Sequence, residues 1–338
     1  MTPDDVRALA ESSEPRLGVA WATVVTAMRD THTLTRLAQL LAAGRLEDAT
    51  EAVLRQARRF PPAWAREFAR AGEATAEDIA AALSNVARGE VVLDFDMVHQ
   101  DAVNAIQQNR LRLVREITEA QRRAIREAIT EGVRRGDNPI AQARNFRDSL
   151  GLTERQVRAV NNYRRLLEQN NPEALERALR DRRFDRSVAR ALEDGTPLTR
   201  RQIDNMVARY RERYLKYRTE VIARTEALRS AHEGTFSMFR QAIADGSLSD
   251  QSLTREWNTA GDERVRTFES TGGKTSHASM HGQVVQGMSE PFISGGGNAL
   301  LYPGDPSAPG EDTIQCRCAV GVRMSAVSGP VLSAQVVQ

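Results

Sequence analysis

Over most of this chain apolar positions recur three and four residues apart, the spacing of one buried helix face. Up to about residue 90 they come in bursts, at 17–28, 34–41, 49–54 and 79–86, punctuated by Gly44, Pro61-Pro62 and Gly72. Segment 1–95 therefore reads as an array of short helices. Phe60, Trp64 and Phe68 fall four apart and would share a face, for buried packing or, alternatively, for docking. The run Val114, Ile117, Ile125, Ile129, Val133 predicts an amphipathic helix over 101–135, stopped by Gly136-Asp137-Asn138-Pro139. Thr153 with Gln156, and Thr199 with Gln202, have the capping-box form, in which a hydroxyl takes the third amide and the Gln side chain reaches back. From Thr199 one helix can run to about residue 243. Along it Val207, Tyr210, Tyr214, Tyr217 and Val221 alternate three and four apart, as in a bundle or coiled-coil seam.

After Gly246 the pattern breaks into short apolar segments such as 283–286, separated by Gly272-Gly273, Gly295-Gly296-Gly297, Pro303, Pro306 and Pro309. A compact, Gly/Pro-rich α+β module is expected there. The fold class is thus mainly α with a C-terminal α+β module: a helical N-terminal region (1–95), a long-helix bundle (96–245), the module (246–324), and an uncharged tail (325–338) that is loose or an added strand. Composition agrees, because a 338-residue chain with 5% aromatic and 27% charged residues, rich in Ala, Leu, Arg and Glu, suits a mostly helical protein of two or three folding units. No stretch approaches the ~20 continuous apolar residues of a membrane span. The start is acidic where a secretory signal would be basic and then apolar, so a cytosol-like compartment and no membrane partner are expected.

The net charge of +2 hides a pattern. Acidic residues outnumber basic ones in 1–100 and after 240, whereas 101–240 is basic, and Lys216 and Lys274 are the only lysines. Arginine suits phosphate contacts, yet a GC-rich genome produces the same bias. On the long helix Arg209, Arg211, Arg213, Lys216 and Arg218 surround the seam rather than forming one face, so non-specific contact with double-stranded DNA is the minor reading and a solvated helix the major one.

The chemistry-bearing residues gather in the last quarter: Trp257-x-x-x-x-Asp262-x-Arg264-x-Arg266, then His277-x-x-Met280-His281-Gly282, then Cys316-Arg317-Cys318 with the only two cysteines. Gly272-Gly273-Lys274-Thr275-Ser276 ends like a phosphate-binding loop, but Phe268 occupies the place of its first glycine. His277 and His281 have the spacing of a zinc protease, but Ala278 replaces the catalytic Glu. Oxidation of Cys316 with Cys318 would close a small strained ring, so free thiols are expected. Two readings remain. His277, His281, Cys316 and Cys318 supply the Cys₂His₂ set of a closed structural zinc site, or His277 hydrogen-bonds Asp262 or a carbonyl and the cysteines are small buried hydrophobes. Asp262, Arg264 and Arg266 alternate, so an extended segment would place them on one face, most simply in a buried ion-pair network.

Taken in order, Ile222-Ala223-Arg224-Thr225-Glu226, the Trp257–Arg266 set, His277 with Met280 and Gly282, Phe292, Tyr302-Pro303-Gly304-Asp305-Pro306 and the Cys-Arg-Cys end resemble the phage Mu protein F type of minor head protein, in the head-morphogenesis family of tailed phages. The resemblance spans roughly residues 120–320. It implies a non-enzymatic virion component inside the head near the portal vertex, made in the host cytoplasm, with the portal protein, the major capsid or scaffold protein and packaged DNA as partners. Residues 1–95 would then carry the docking surface. Two departures stand out: residues 267–276 are interposed between Arg266 and His277, and position 281, commonly Asp in the family, is His. Modules of this kind also occur fused to toxins, so a phage-delivered effector enzyme, a nuclease or an ADP-ribosyltransferase, is the rival expectation. A scaffold lost on maturation is the third.

Overall fold

The computed structural model describes residues 1–87, 90–325 and, as backbone, 336–337. It is 66% helical with a small antiparallel sheet near the C-terminus, so the mainly-α fold with a C-terminal α+β module holds. In order come α1 (Pro3–Asp30), α2 (Leu34–Ala42), α3 (Leu46–Leu54), α4 (Pro61–Ala87), β1 (Glu90–Val91), α5 (Gln100–Arg134), α6 (Pro139–Ser149), α7 (Glu154–Glu168), α8 (Asp185–Glu193) and α9 (Arg200–Ala244). The C-terminal part holds β2 (Leu253–Asn258), β3 (Val284–Gln286), β4 (Phe292–Ile293), β5 (Ala299–Leu300), α10 (Gly310–Thr313), β6 (Ala319–Met324) and β7 (Val336–Val337). Of the tail, residues 326–335 and 338 lie outside the described residues, and β7 pairs antiparallel with β1.

The local signals act as their chemistry dictates. Thr153 and Gln156 form a reciprocal capping box on α7, and Thr199 and Gln202 do the same ahead of α9. Asn138 caps α6, with Pro139 in its first turn. The N-terminal bursts, by contrast, belong partly to long helices. α1 runs 28 residues through Pro15, and α4 runs 27. Gly72 does not break α4, and α1 starts well before the 17–28 burst, because buried Val6 and Ala10 on α1 and Ile79 and Leu83 on α4 join one core.

Contacts cluster into two units that interleave along the chain. Unit 1 takes residues 1–20, 61–111 and 221–338, and unit 2 takes 21–60 and 112–220. The successive sequence blocks are therefore shared out, with α1, α5 and α9 contributing to both.

Unit 2 is all helical among its described residues. Its core joins Ala124 and Ala128 of α5, Val157, Val160, Tyr163 and Leu167 of α7, Val188 of α8, and Ile203, Met206, Val207 and Tyr210 of α9. The tyrosine seam is a packed one: Tyr210 lies 4.4 Å from Tyr163 and 5.0 Å from Tyr214, ring centre to ring centre. Tyr217 departs from it and is exposed.

In unit 1, α9 and α4 line a core that the three-stranded sheet, order β3-β2-β6, closes. Strand β2 alternates buried and half-buried residues, so Leu253, Arg255 and Trp257 face inward. Trp64 and Phe68 are buried and stacked at 5.4 Å. α9 comes so close to α4 at Gly234 that an added Cβ would meet the Phe68 carbonyl oxygen and lie 2.8 Å from the Ala71 Cβ. Gly234→Ala is thus expected to lower stability by about 1–3 kcal/mol through overpacking, although Ala is the better helix former by about 0.5–1 kcal/mol. A thermal midpoint equal to or above that of the parent would show that the helices separate without cost.

Candidate metal centre

β2 and the chain after it bring one histidine and both cysteines together. Trp257, wholly buried on β2, meets the His277 ring edge-on at 5.5 Å and Phe292 at 5.3 Å. The backbone is pinned alongside: the Gly282 amide donates to the Trp257 carbonyl at 2.8 Å, at a glycine whose φ of 78° only Gly adopts without strain. β6 begins immediately after Cys318 and pairs with β2 along its whole length, Asn258 opposite Ala319. That register delivers the cysteines to the histidine.

His277 Nδ1 lies 3.4 Å from the Cys316 Sγ and 3.5 Å from the Cys318 Sγ. The three ligand atoms lie within 4.8 Å of one another, and all three residues are buried. Both cysteines are free thiols. Burial pushes both thiols up, but for Cys316 this is outweighed by hydrogen bonds with Cys318 and His277, which hold it well below the ordinary thiol range. Cys318 is pushed up, first by its bond to Cys316 and then by burial. The lowered Cys316 thiol, next to an imidazole nitrogen, favours the thiolate form that both nucleophiles and metal ligands require.

On the far side of the ring, His277 Nε2 contacts Asp312 Oδ1 at 3.3 Å. Asp312, on α10, is fully buried and also accepts from the Thr275 hydroxyl (2.5 Å), the Ser294 hydroxyl (3.3 Å) and the Asn298 side-chain amide (2.8 Å). A carboxylate with that many donors orients the imidazole and leaves Nδ1 for the sulfurs. Sequence reading missed Asp312, which sits in an ordinary polar run. Its role exists only because α10 folds under the histidine.

Several expected placements are corrected. His281 does not join the cluster: one 3₁₀ turn, not an α-helix, separates it from His277, and its exposed ring takes the Thr259 amide at 3.2 Å. The Cys₂His₂ quartet is therefore a Cys₂His trio. His277 bonds Asp312, not Asp262. Residues 262–266 form a turn instead of an extended segment, in which Asp262 pairs with Arg264 at the surface. Arg266 donates to the carbonyls of Asp312 and Ile314, so no buried ion-pair network forms there. The ten interposed residues do not part Arg266 from His277. The Arg266 carbonyl accepts from the amides of both His277 and Ala278 at 3.0 Å, which pinches residues 267–276 into a closed excursion.

The first motif completes the module. Thr225 accepts from the Gln315 amide, one residue before Cys316. Glu226 pairs with buried Arg229, whose Nε donates to the Gly304 carbonyl, and Arg224 pairs with Glu14. Tyr302 packs on His232 and Phe236 and donates to Glu233. In unit 2, each of the residues considered for DNA has an internal partner: Arg209 with Glu212, Arg211 with Asp148, Arg213 with Asp181, and Lys216 with Glu220. Arg218 is buried with its guanidinium over Trp21, and burial pushes its pKa down to about 10.

His232 also went unremarked in the sequence. It is fully buried on α9; its Nδ1 lies 3.0 Å from the Leu228 carbonyl and its Nε2 accepts from the Val320 amide, so it ties α9 to β6 as a neutral ring. Burial is the main cause that lowers its pKa from 6.5 to about 4. The unfolded chain binds that proton first, so the contribution is present above pH 6.5, falls away as pH drops towards 4, and amounts to about 3 kcal/mol. Thermal midpoints measured from pH 8 to pH 4 should fall through this window. His232→Gln, which keeps an acceptor for Val320, should be less stable at pH 8 and should flatten the fall. An unchanged pH profile in that variant would assign the acid sensitivity elsewhere.

Among the described residues no helix is long and apolar enough to cross a membrane. The chain matches no family model, no curated protein and no solved structure.

Proposed function

We propose that this chain is a structural minor head protein of a tailed phage, internal to the head at the portal vertex, with the portal and the capsid or scaffold protein as partners. The observation that carries the reading is mutual service among the motif residues. Thr225, Trp257, His277, Phe292, Tyr302 and the two cysteines, drawn from nearly a hundred positions of sequence, pack on and bond to one another or to one another's neighbours. An ordered set of motifs whose members hold each other in place is what a load-carrying module requires. In an enzyme those residues would instead surround a substrate. Both nitrogens of His277 are engaged within the knot.

The trio also holds a metal in this reading, with zinc as the occupant. In tetrahedral zinc sites the bond lengths of ~2.3 Å to sulfur and ~2.0–2.1 Å to nitrogen imply an S···N separation of roughly 3.6 Å. The two observed separations, 3.4 and 3.5 Å, sit at that value. The lowered Cys316 thiol and the Asp312–His277 contact suit the same role. Zinc would replace the thiol–imidazole hydrogen bonds as the staple between the His277 turn and β6.

Two measurements test these proposals. Quantitative mass spectrometry of full and DNA-emptied particles of the parent phage should find a few full-length copies in both; absence from both overturns the structural reading. Elemental analysis of purified protein should find about one zinc per chain, with loss of metal in Cys316→Ser. Removal by chelator should cost about 2.7 kcal/mol where free zinc stands a hundredfold above its dissociation constant. A metal-free preparation with an unchanged thermal midpoint would remove the zinc proposal and leave the head-protein reading intact.

A further inference from the structure

Beside the cysteine–histidine trio, unit 1 contains a cleft of about 320 Å³. Leu228 and Cys316 contribute apolar wall, and Arg224, Arg264 and Arg317 bring guanidinium groups to it. Its acids are Glu11, Glu14 and Asp262, and Arg7 is a fourth guanidinium in its lining. Arg224 is paired with Glu14 at 2.9 Å and Arg264 with Asp262 at 2.5 Å. Arg317, half-buried between the two cysteines of the Cys-Arg-Cys end, has no hydrogen-bond or ion-pair partner among the described residues.

We propose that this cleft is a phosphate-binding site in which Arg317 is the primary ligand and Arg224 and Arg264 are the flanking donors. Three features lead to this class of ligand. First, Arg317 brings guanidinium donors that no described residue accepts into the same cleft as Arg224 and Arg264, and a bound anion would accept from them. Second, two of the cleft's planar carboxylates, Glu14 and Asp262, bond to Arg224 and Arg264, and no carboxylate of the cleft hydrogen-bonds to Arg317. A tetrahedral anion, by contrast, can accept from guanidinium groups lying in different planes. Third, the volume falls within the ~300–1,000 Å³ range of small-ligand sites, so there is room beyond the phosphate for the body that bears it. That body has Leu228 and the cysteine wall to rest on. A free nucleotide and a nucleic-acid chain present the same group, and the site recognises it in either source. The inference rests on neither the head-protein reading nor the zinc, because its donors come from arginines that hold no part of the trio.

The test uses the full chain in low-salt buffer at pH 7.5, with inorganic phosphate as the first probe. The thermal midpoint should rise with phosphate, with half the effect at millimolar concentration, and acetate at equal ionic strength should give a far smaller rise. Arg317→Gln should abolish the response, Arg317→Lys should weaken it several-fold, and Arg323→Gln, which removes an exposed cation paired with Glu256 on the same unit, should leave it unchanged. Adenosine monophosphate and a short single-stranded oligonucleotide, compared by calorimetry, then separate the sources: tighter binding of the mononucleotide marks a free ligand, tighter binding of the oligonucleotide a strand. The proposal is overturned by the absence of any phosphate response, by an equal response to acetate, or by a response that survives in Arg317→Gln. If Arg317→Gln does not fold, Arg317→Lys and Arg264→Gln decide the matter in the same way, and undiminished phosphate binding in both overturns it.

Discussion

A guanidinium buried at the centre of the C-terminal module holds that module together. Arg255 occupies an inward-facing position of β2 where the strand pattern calls for an apolar residue, and it is wholly inaccessible to solvent. Its donors go to the carbonyls of Gly287 (2.5 Å), Glu290 and Leu301 (2.7 Å), and its Cζ lies 5.3 Å from the ring centres of both Phe236 and Phe292. The loops after β3 and after β5 have little regular structure to satisfy their own carbonyls, and one five-donor side chain satisfies three of them. Burial lowers its pKa to about 10, which still leaves it charged at neutral pH. Removal of such a group would leave several buried acceptors without donors, so β2 could not keep Trp257 where His277 needs it.

From that clamp the remaining polar contacts follow as a chain of dependence. Arg255 fixes the β3–β4 and β5 loops against β2. Trp257, two residues along the same face, gives His277 a wall, and Asp312 on α10 gives it an orientation. The cysteines then meet the ring because β6 is registered on β2. Each link is a buried polar or aromatic contact whose partners lie far apart in sequence. The module's buried apolar side chains join one core with α4 and α9, and these satisfied polar groups fix the loops around it. The excursion of residues 267–276 illustrates the same economy. With its base closed by the Arg266 carbonyl, the ten-residue excursion leaves Arg266 beside His277, and its end re-enters the knot where Thr275 donates to Asp312. The trio and the Arg317 cleft share the Cys-Arg-Cys segment, and Cys316 belongs to both.

Much of the helical fold was legible in the sequence. The 101–135 pattern became α5, the two capping boxes opened α7 and α9, and the Gly136–Pro139 run stopped one helix and started the next. These succeed because period, cap and breaker act within a few residues of where they are written. The candidate site was legible in part. The residue types that could bind a metal were evident, since Cys and His are scarce, yet the membership was not. His281 matched the helical spacing and was excluded by a 3₁₀ turn, while Asp312, His232 and Arg255 carry no local mark at all.

The sequence by itself determined the ends of α5 and the starts of α6, α7 and α9, which residues are chemically able to form a site, and that the last quarter differs in kind from the rest. Tertiary structure alone decided that α1 continues through Pro15, that the chain interleaves into two units, which of the four candidate ligands converge, and that an arginine takes a core position on β2. The physical reason is one of range. Helix periodicity, capping and turn chemistry are free energies of neighbours in sequence, whereas burial, strand register and the satisfaction of a buried charge depend on partners dozens to hundreds of residues away. Those partners come into being only when the whole module closes.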